Sequence, residues 1–378
     1  MSPISESPAQ QPQICSTCAT PSSYPGIDLD AAGRCNHCRE FQRADETWNR
    51  TRGERLARLE RFIKWAKKKA RRYDALVPLS GGKDSTYCLY LATQKFGLKV
   101  LAFTFDNGFQ SDIARRNIES AIQRSNADHI VVRPNPSRLM RLYAHFLHHT
   151  GLFCPACMRG ICAGTFALTR QFKTPLVFTG TSQRTEERLV PEIFQDGTYS
   201  FFRKVLQAKP FPEDVGLLDF DRNLREKIQR GLFLLSGQRI PFGVVEIQLP
   251  DFMDWNYKTI FQTISSEMGW QVLPDRDEHI DCRIEPVAQY LRRVRVPGLV
   301  PGALRYSAEI RAGQRDRAAA LEEIVREQQK PPLPPELPTL LERLALTPEE
   351  FHVSQRDCFR HMQYQKEAPL VRLLRRIL

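Results

Sequence analysis

The sequence predicts an α/β protein built on a doubly wound, mostly parallel sheet, with a small metal-binding ribbon in front and a helical region behind. Three observations predict it. Short continuous apolar runs alternate with helix-like segments from Tyr73 to about residue 180. Two C-x-x-C pairs precede them, and strand signals stop beyond about residue 263.

The front comes first in the chain. Residues 1–13, "MSPISESPAQQPQ", combine low hydrophobicity with three prolines, the composition of a disordered tail. They lack the basic and apolar regions of a secretory signal, so a cytoplasmic protein is expected, with reduced cysteines. Cys15-Ser16-Thr17-Cys18 and Cys35-Asn36-His37-Cys38 follow, sixteen residues apart. Each pair presents two thiolates from one tight turn, and two such turns complete a tetrahedral Zn²⁺ shell. Pro25-Gly26 and Gly33 supply the turns between them. Four protein ligands leave no open position, so the zinc is structural; His37 is a spare. Tail and ribbon fill residues 1–46. A connecting helix over 47–72 carries Leu56, Leu59, Phe62, Ile63 and Ala66 near one face and the basic run "KWAKKKARR" (64–72) on the other.

In residues 73–262 the runs "ALVPLS" (75–80), "KVLAFTF" (99–105), "HIVVRP" (129–134) and "PLVFTG" (175–180) read as buried strands, separated by helix-like segments near 85–96, 111–125, 137–149 and 160–172. In such sheets ligands bind at the carboxyl ends of the strands. The polar residues obey that rule: Ser80–Ser85, Asp106-Asn107-Gly108 and Gly180–Ser182 converge there on one nucleotide-sized cleft. In "SGGKDS" (80–85), Gly81 and Gly82 let the backbone bring N–H groups close to phosphate oxygens, and Ser80 and Ser85 add hydroxyls. The following helix aims its positive end at the same anion. Lys83 supplies a point charge and Asp84 a carboxylate for Mg²⁺. The spacing is not that of the common NTPase loop.

Ser-Gly-Gly-Lys-Asp-Ser after a strand resembles the PP-loop of the N-type ATP pyrophosphatases, the adenine nucleotide α-hydrolase-like superfamily, and implies a HUP-type fold. In that family the loop grips the β,γ-phosphates of ATP while a substrate oxygen attacks the α-phosphate. The products are an adenylated substrate and pyrophosphate, and an amine or sulfur nucleophile then displaces AMP. The resemblance places Ser80, Gly81, Gly82, Lys83 and Ser85 on the pyrophosphate and gives Lys83 and Asp84 catalytic roles. "TFDNGF" (104–109) is similar to the family's second nucleotide loop, which sets Phe105 and Asp106 by the adenosine; Gly180 and Thr181 border the α-phosphate.

"GLFCPACMRGICAG" (151–164) holds a third C-x-x-C, Cys154 and Cys157, and Cys282 lies in "DEHIDC" with His279 and Asp281. A C-x-x-C plus one distant cysteine resembles PP-loop tRNA thiolases, in which three thiolates hold a [4Fe–4S] cluster with one iron open. The alternatives are a persulfide on Cys154 or Cys157, a second zinc, or buried cysteines without a cofactor. Cys162, at helical spacing, is expected in the core.

A second resemblance covers more of the chain. The ribbon, "VPLSGGKDSTY", the C-x-x-C at 154–157, "DWNY", "MGW", "DEHIDC" and "YSAEIRAGQRDRAAALEEI" (306–324) recur in that order in N-acetyl sugar amidotransferases of lipopolysaccharide O-antigen assembly. Those enzymes turn an N-acetyl group on a nucleotide-linked sugar into an acetamidino group, with ammonia from a glutaminase partner. The loop "TGTSQRTEERLVPEIF" (179–194) departs from the short Gly-Glu loop expected there; its Glu186 and Glu187 bind Mg²⁺ or substrate, or are simply exposed. The other readings are a sulfurtransferase or thioamide synthetase acting on a small molecule or tRNA, and a catalytically idle nucleotide-binding or zinc scaffold.

The chain of 378 residues is 42% hydrophobic and carries a net charge of +12. That excess suits an anionic substrate, a nucleic acid or a solvated basic surface. No apolar run is long enough for a membrane span. The C-terminal region, 263–378, is expected to be mostly helical, with a helix in 317–329, a Pro-rich connector at 330–338, an N-cap at Thr347 and a basic amphipathic helix at the end. Arg305, Arg311 and Arg315 are candidates for an anionic substrate. A homodimer is compatible with all of this.

Overall fold

The structure, a computed structural model, describes residues 13–22, 24, 26–182, 197–273, 280–295, 300–328 and 333–352. Five strands form one parallel sheet: β1 (Ala75–Pro78), β2 (Val100–Phe105), β3 (Ala127–Val132), β4 (Leu176–Thr179) and β5 (Val245–Gln248). Their order is β3-β2-β1-β4-β5. The chain therefore winds outward from β1 to β3, then returns to build the other half beside β1. The four apolar runs supply β1 to β4. β5 escaped the sequence reading because "VEIQ" is only four residues of alternating character, with Val245 and Ile247 buried and Glu246 and Gln248 facing the other way. Thr179 pairs with Gln248 and Val177 with Glu246, which sets the register of the edge.

Helices cover both faces, as the period-2 alternation of the strands requires. Ala75 and Val77 face a core shared with α2 (Arg52–Lys69), α3 (Lys83–Tyr90), α4 (Asp112–Arg124) and α9 (Tyr257–Met268). Leu76, Phe103 and Phe105 face the other core, with α5 (Pro136–Thr150), α6 (Cys154–Phe172), α7 (Tyr199–Ala208), α10 (Glu285–Arg295) and α13 (Leu337–Leu344). α6 lies unusually close to β2. A Cβ on Gly160 would stand 2.1 Å from the Phe105 ring and one on Gly164 2.5 Å from Phe103, so glycine is what lets helix and strand meet there.

The helix ends follow local chemistry. Ser111 and Asn135 accept N–H bonds at the starts of α4 and α5, and α8 (Leu224–Leu235) opens on a reciprocal Asn223–Glu226 capping box. Thr347 and Glu350 exchange the same pair of bonds, at 3.1 Å and 2.8 Å. In place of one connecting helix there are two: α1 (Asn36–Arg50) runs on from the second cysteine turn, and the chain breaks at Thr51 before α2. α6 begins at Cys154 rather than near 160, so the third C-x-x-C occupies a first helical turn. Behind the sheet, α11 (Pro301–Arg311) and α12 (Arg317–Gln328) pack on each other and on the ribbon. Among the described residues no helix is long and apolar enough to cross a membrane.

Candidate functional site

The sheet order reverses beside β1, and a crevice opens there at the carboxyl ends of the strands. The loop after β1 forms one rim. Gly81 adopts φ +86°, and a Cβ there would meet the Ala114 carbonyl oxygen at 2.5 Å, so only glycine fits the turn. Its own carbonyl accepts from Trp270 Nε1 at 2.9 Å and Asn117 Nδ2 at 3.3 Å, which pins the loop from outside. Ser80 Oγ and Ser85 Oγ lie 3.2 Å apart, and the Gly82 amide donates to Ser80 Oγ at 3.3 Å. α3 begins immediately after, with Gly82 at its N-cap and therefore no capping side chain. Its N-terminal partial charge is thus directed at the crevice.

Lys83 is 8% exposed, stands 3.2 Å from Asp84 Oδ2 and lies over the Tyr257 ring. Asp84 Oδ1 accepts from Trp255 Nε1 at 2.8 Å. Gly180, at the end of β4, packs against Asp84 closely enough to join the two loops into one rim. The cavity below measures about 740 Å³. Ser80, Gly82, Lys83, Asp84, Ser85, Phe105, Gly180 and Thr181 all line it. Asp106 does not; its carboxylate holds Arg133 Nε at 2.6 Å and accepts from the Gly108 amide. Glu186, Glu187 and His279 lie outside the described residues.

Sequence reasoning missed the far wall. Arg222 and Arg230 both pair with Glu246 on β5, and Arg222 also lies 4.3 Å over the Phe166 ring. Asp251 lines the cavity beside them, so the two guanidiniums face two carboxylates there. Burial, followed by repulsion from Arg230, brings Arg222 down to about 10, still protonated at neutral pH. No short motif marks these residues, since β5 and α8 bring them together only in the fold. Trp255 and Tyr257, by contrast, stand in the quoted "DWNY". Arg305, Arg311 and Arg315 do not line the cavity: Arg305 and Arg315 face Glu309, and Arg311 approaches a ribbon sulfur.

Cys157 lines the cavity, while Cys154 and Cys282 sit behind it. The segment around Asp281 runs along the loop after β2, with a Gln110–Cys282 bridge and a Ser111 N–H bond to the Asp281 carbonyl. Cys282 is thereby brought to the C-x-x-C, although the two lie far apart along the chain. Burial raises the pKa of the Tyr143 hydroxyl, and the sulfurs of Cys157, Cys282 and Cys154 nearby push it the same way electrostatically. Burial pushes Cys154 up to about 12 and Cys157 up to about 11. The thiols are protonated at neutral pH unless a metal or another cation draws the protons off. Cys162 is a correction: it is half-buried and lines the cavity instead of filling the core.

The ribbon forms a second site. Cys15 and Cys38 Sγ are 3.8 Å apart and Cys18 and Cys35 Sγ 3.7 Å, with all four within 4.8 Å of one another. Metal–sulfur bonds of about 2.3 Å place tetrahedral thiolates about 3.8 Å apart, so the set fits zinc. Amides of Cys18 and Cys35 donate to Cys15 Sγ, and that of Cys38 to Cys35 Sγ. Arg317 holds the first turn by the carbonyls of Cys15 and Cys18, both at 2.9 Å. Among the described residues this is the one set of side chains gathered tightly enough for a single ion.

The fold and site thus define a five-stranded parallel α/β protein with a glycine-rich loop after β1 and a four-cysteine centre. No protein-family model matches the chain, and no curated protein matches it. Among solved structures it is similar to NMN synthetase from Francisella tularensis, at 15% identity over 59% of this chain and 99% of that one. The TM-score is 0.27, too low for that likeness to bear on fold or function.

Proposed function

We propose that this chain is a PP-loop enzyme that cleaves ATP to AMP and pyrophosphate, activates a carbonyl oxygen and replaces it with nitrogen. The acceptor in this reading is an N-acetyl group on a nucleotide-linked sugar, and a glutaminase partner supplies ammonia. One observation carries the proposal: the "SGGKDS" turn opens the amide end of α3 onto a cavity of about 740 Å³.

The roles follow from position. Ser80, Gly81, Gly82, Lys83 and Ser85 hold the pyrophosphate end of ATP through amides, hydroxyls and one ammonium. Asp84, steadied by Trp255, would hold Mg²⁺, which would neutralise phosphate charge. Phe105 borders the adenosine and Gly180 and Thr181 the α-phosphate. The acceptor oxygen bonds to the α-phosphorus as pyrophosphate leaves; ammonia then bonds to the acceptor carbon as AMP departs with that oxygen. Arg222 and Arg230 are the guanidiniums that line the cavity, and in this reading they meet an anionic acceptor. The four-cysteine ribbon holds zinc as a structural ion.

A second reading is favoured by Cys157 lining the same cavity with Cys154 and Cys282 behind it. There the nucleophile is sulfur, carried on a cysteine or on a [4Fe–4S] cluster held by the three, and the acceptor is a small molecule or a tRNA base. Mass spectrometry separates the two. The chain, ATP, ammonium chloride and UDP-N-acetyl sugars should yield pyrophosphate and a product with nitrogen in place of the amide oxygen. A sulfur-containing product from a sulfide donor favours the second reading, and no pyrophosphate with either donor rejects both.

A further inference from the structure

We infer that the chain pairs with a second copy of itself through the outer face of α8, and that this contact braces one wall of the cleft. α8 is two-faced. Arg230 and Phe233 line the cavity, whereas Leu224, Ile228, Leu232 and Leu235 are 74%, 54%, 51% and 58% exposed. Their spacing of i, i+4, i+8 and i+11 makes one stripe along three turns. The chain leaving the helix turns back beside it, since the Gln238 amide donates to the Phe233 carbonyl and Gly243 lies against Gln229. It adds Ile240 and Phe242, 66% and 42% exposed. A surface helix ordinarily gives water its polar side; this one gives water a continuous apolar one. Together the six side chains present roughly 600 Å² of apolar surface, at the upper end for a monomer and near the roughly 800 Å² per partner of a standard interface.

The stripe is also self-complementary, which identifies the occupant as another copy. Two α8 helices packed antiparallel about a two-fold axis set Leu224 of one copy over Leu235 of its partner, and Ile228 over Gly231. Gly231 fits that pairing. Among the described residues a side chain there would meet nothing within 4 Å, so they give no steric reason for a glycine in mid-helix, where it weakens the helix. Opposite Ile228 the bare position lets the two backbones approach. Each copy carries +12, so the contact is apolar rather than electrostatic, and salt strengthens it by screening the repulsion.

Sedimentation velocity on the full chain at micromolar concentration, in low and high salt, tests the inference. A dimer that tightens with salt and dissociates in Ile228→Glu and in Leu235→Glu supports it. A monomeric wild type, whose stripe is then covered by residues 353–378 or by another protein, overturns it, as does a dimer that both variants retain. Cross-linking keeps the test independent of those substitutions. On oxidation, Ile228→Cys mixed with Gly231→Cys should give several-fold more disulfide-linked dimer than either alone, and equal or absent cross-linking overturns the pairing.

Discussion

At the scale of single residues, the cleft depends on a few side chains that are already committed to one another. Lys83 is buried against Asp84 and Tyr257, so its ammonium is fixed before any phosphate arrives. Removing such a preorganised charge commonly costs about 3 kcal/mol of transition-state stabilisation. Lys83→Ala should therefore lower kcat about 10²- to 10³-fold in a pyrophosphate-release assay, with the circular dichroism spectrum retained. Turnover near wild type would remove the loop from the chemistry. Arg230 is more exposed than Arg222, so Arg230→Gln perturbs the fold less. It should raise the acceptor KM about tenfold while leaving the ATP KM within twofold, the loss expected of one charge-assisted hydrogen bond. An unchanged acceptor KM would leave the pair a structural brace. The loop residues were legible because "SGGKDS" is a local pattern; the arginines were not, because their meaning comes from Glu246 on a strand too short to announce itself.

At the scale of elements, the approach of α6 to β2 sets the shape of the cavity. Gly160→Ala drives a methyl group into Phe105, and overpacking of this kind typically costs about 1–3 kcal/mol. A fall in melting temperature together with weaker binding of a non-hydrolysable ATP analogue is expected, and an unchanged melt would show that the ring moves aside freely. α5 carries a different sensitivity in His145, His148 and His149, whose rings meet edge to face in its last turns. Burial, then the two neighbouring histidines, holds His149 down to about 4. The unfolded chain binds its proton at about 6.5, so this contribution is complete above that pH and fades as pH falls towards 4. Thermal melts from pH 7 to 4.5 should steepen in the wild type relative to His149→Phe, and parallel curves would contradict it. Strands β1 to β4 could be read from sequence because continuous apolar runs signal strands buried on both faces. The start of α6 could not, because Phe153, Cys154 and Pro155 carry no capping side chain, and Pro155 looked like a loop while serving in the first turn.

At the scale of the whole molecule, the cysteine spacing specified the ribbon, but no sequence pattern revealed what it docks against. Ser307 accepts the Ala19 amide and Arg317 grips the first cysteine turn, so α11 and α12 fasten the front of the chain to its rear. Cys35→Ser should reduce bound zinc from about one ion per chain to a small fraction by metal analysis, and lower the thermal midpoint of the whole protein. A variant that kept its melting temperature would show the ribbon to be an appendage. Metal binding releases thiol protons, so acidification should favour the metal-free form. The fastening also has a consequence for biosynthesis. The ribbon leaves the ribosome before its anchor: Ser307, 288 residues downstream of Ala19, emerges roughly 15–60 s later at ordinary elongation rates. For that interval the ribbon relies on its own turns, its four sulfurs and whatever ion they capture to keep it in shape.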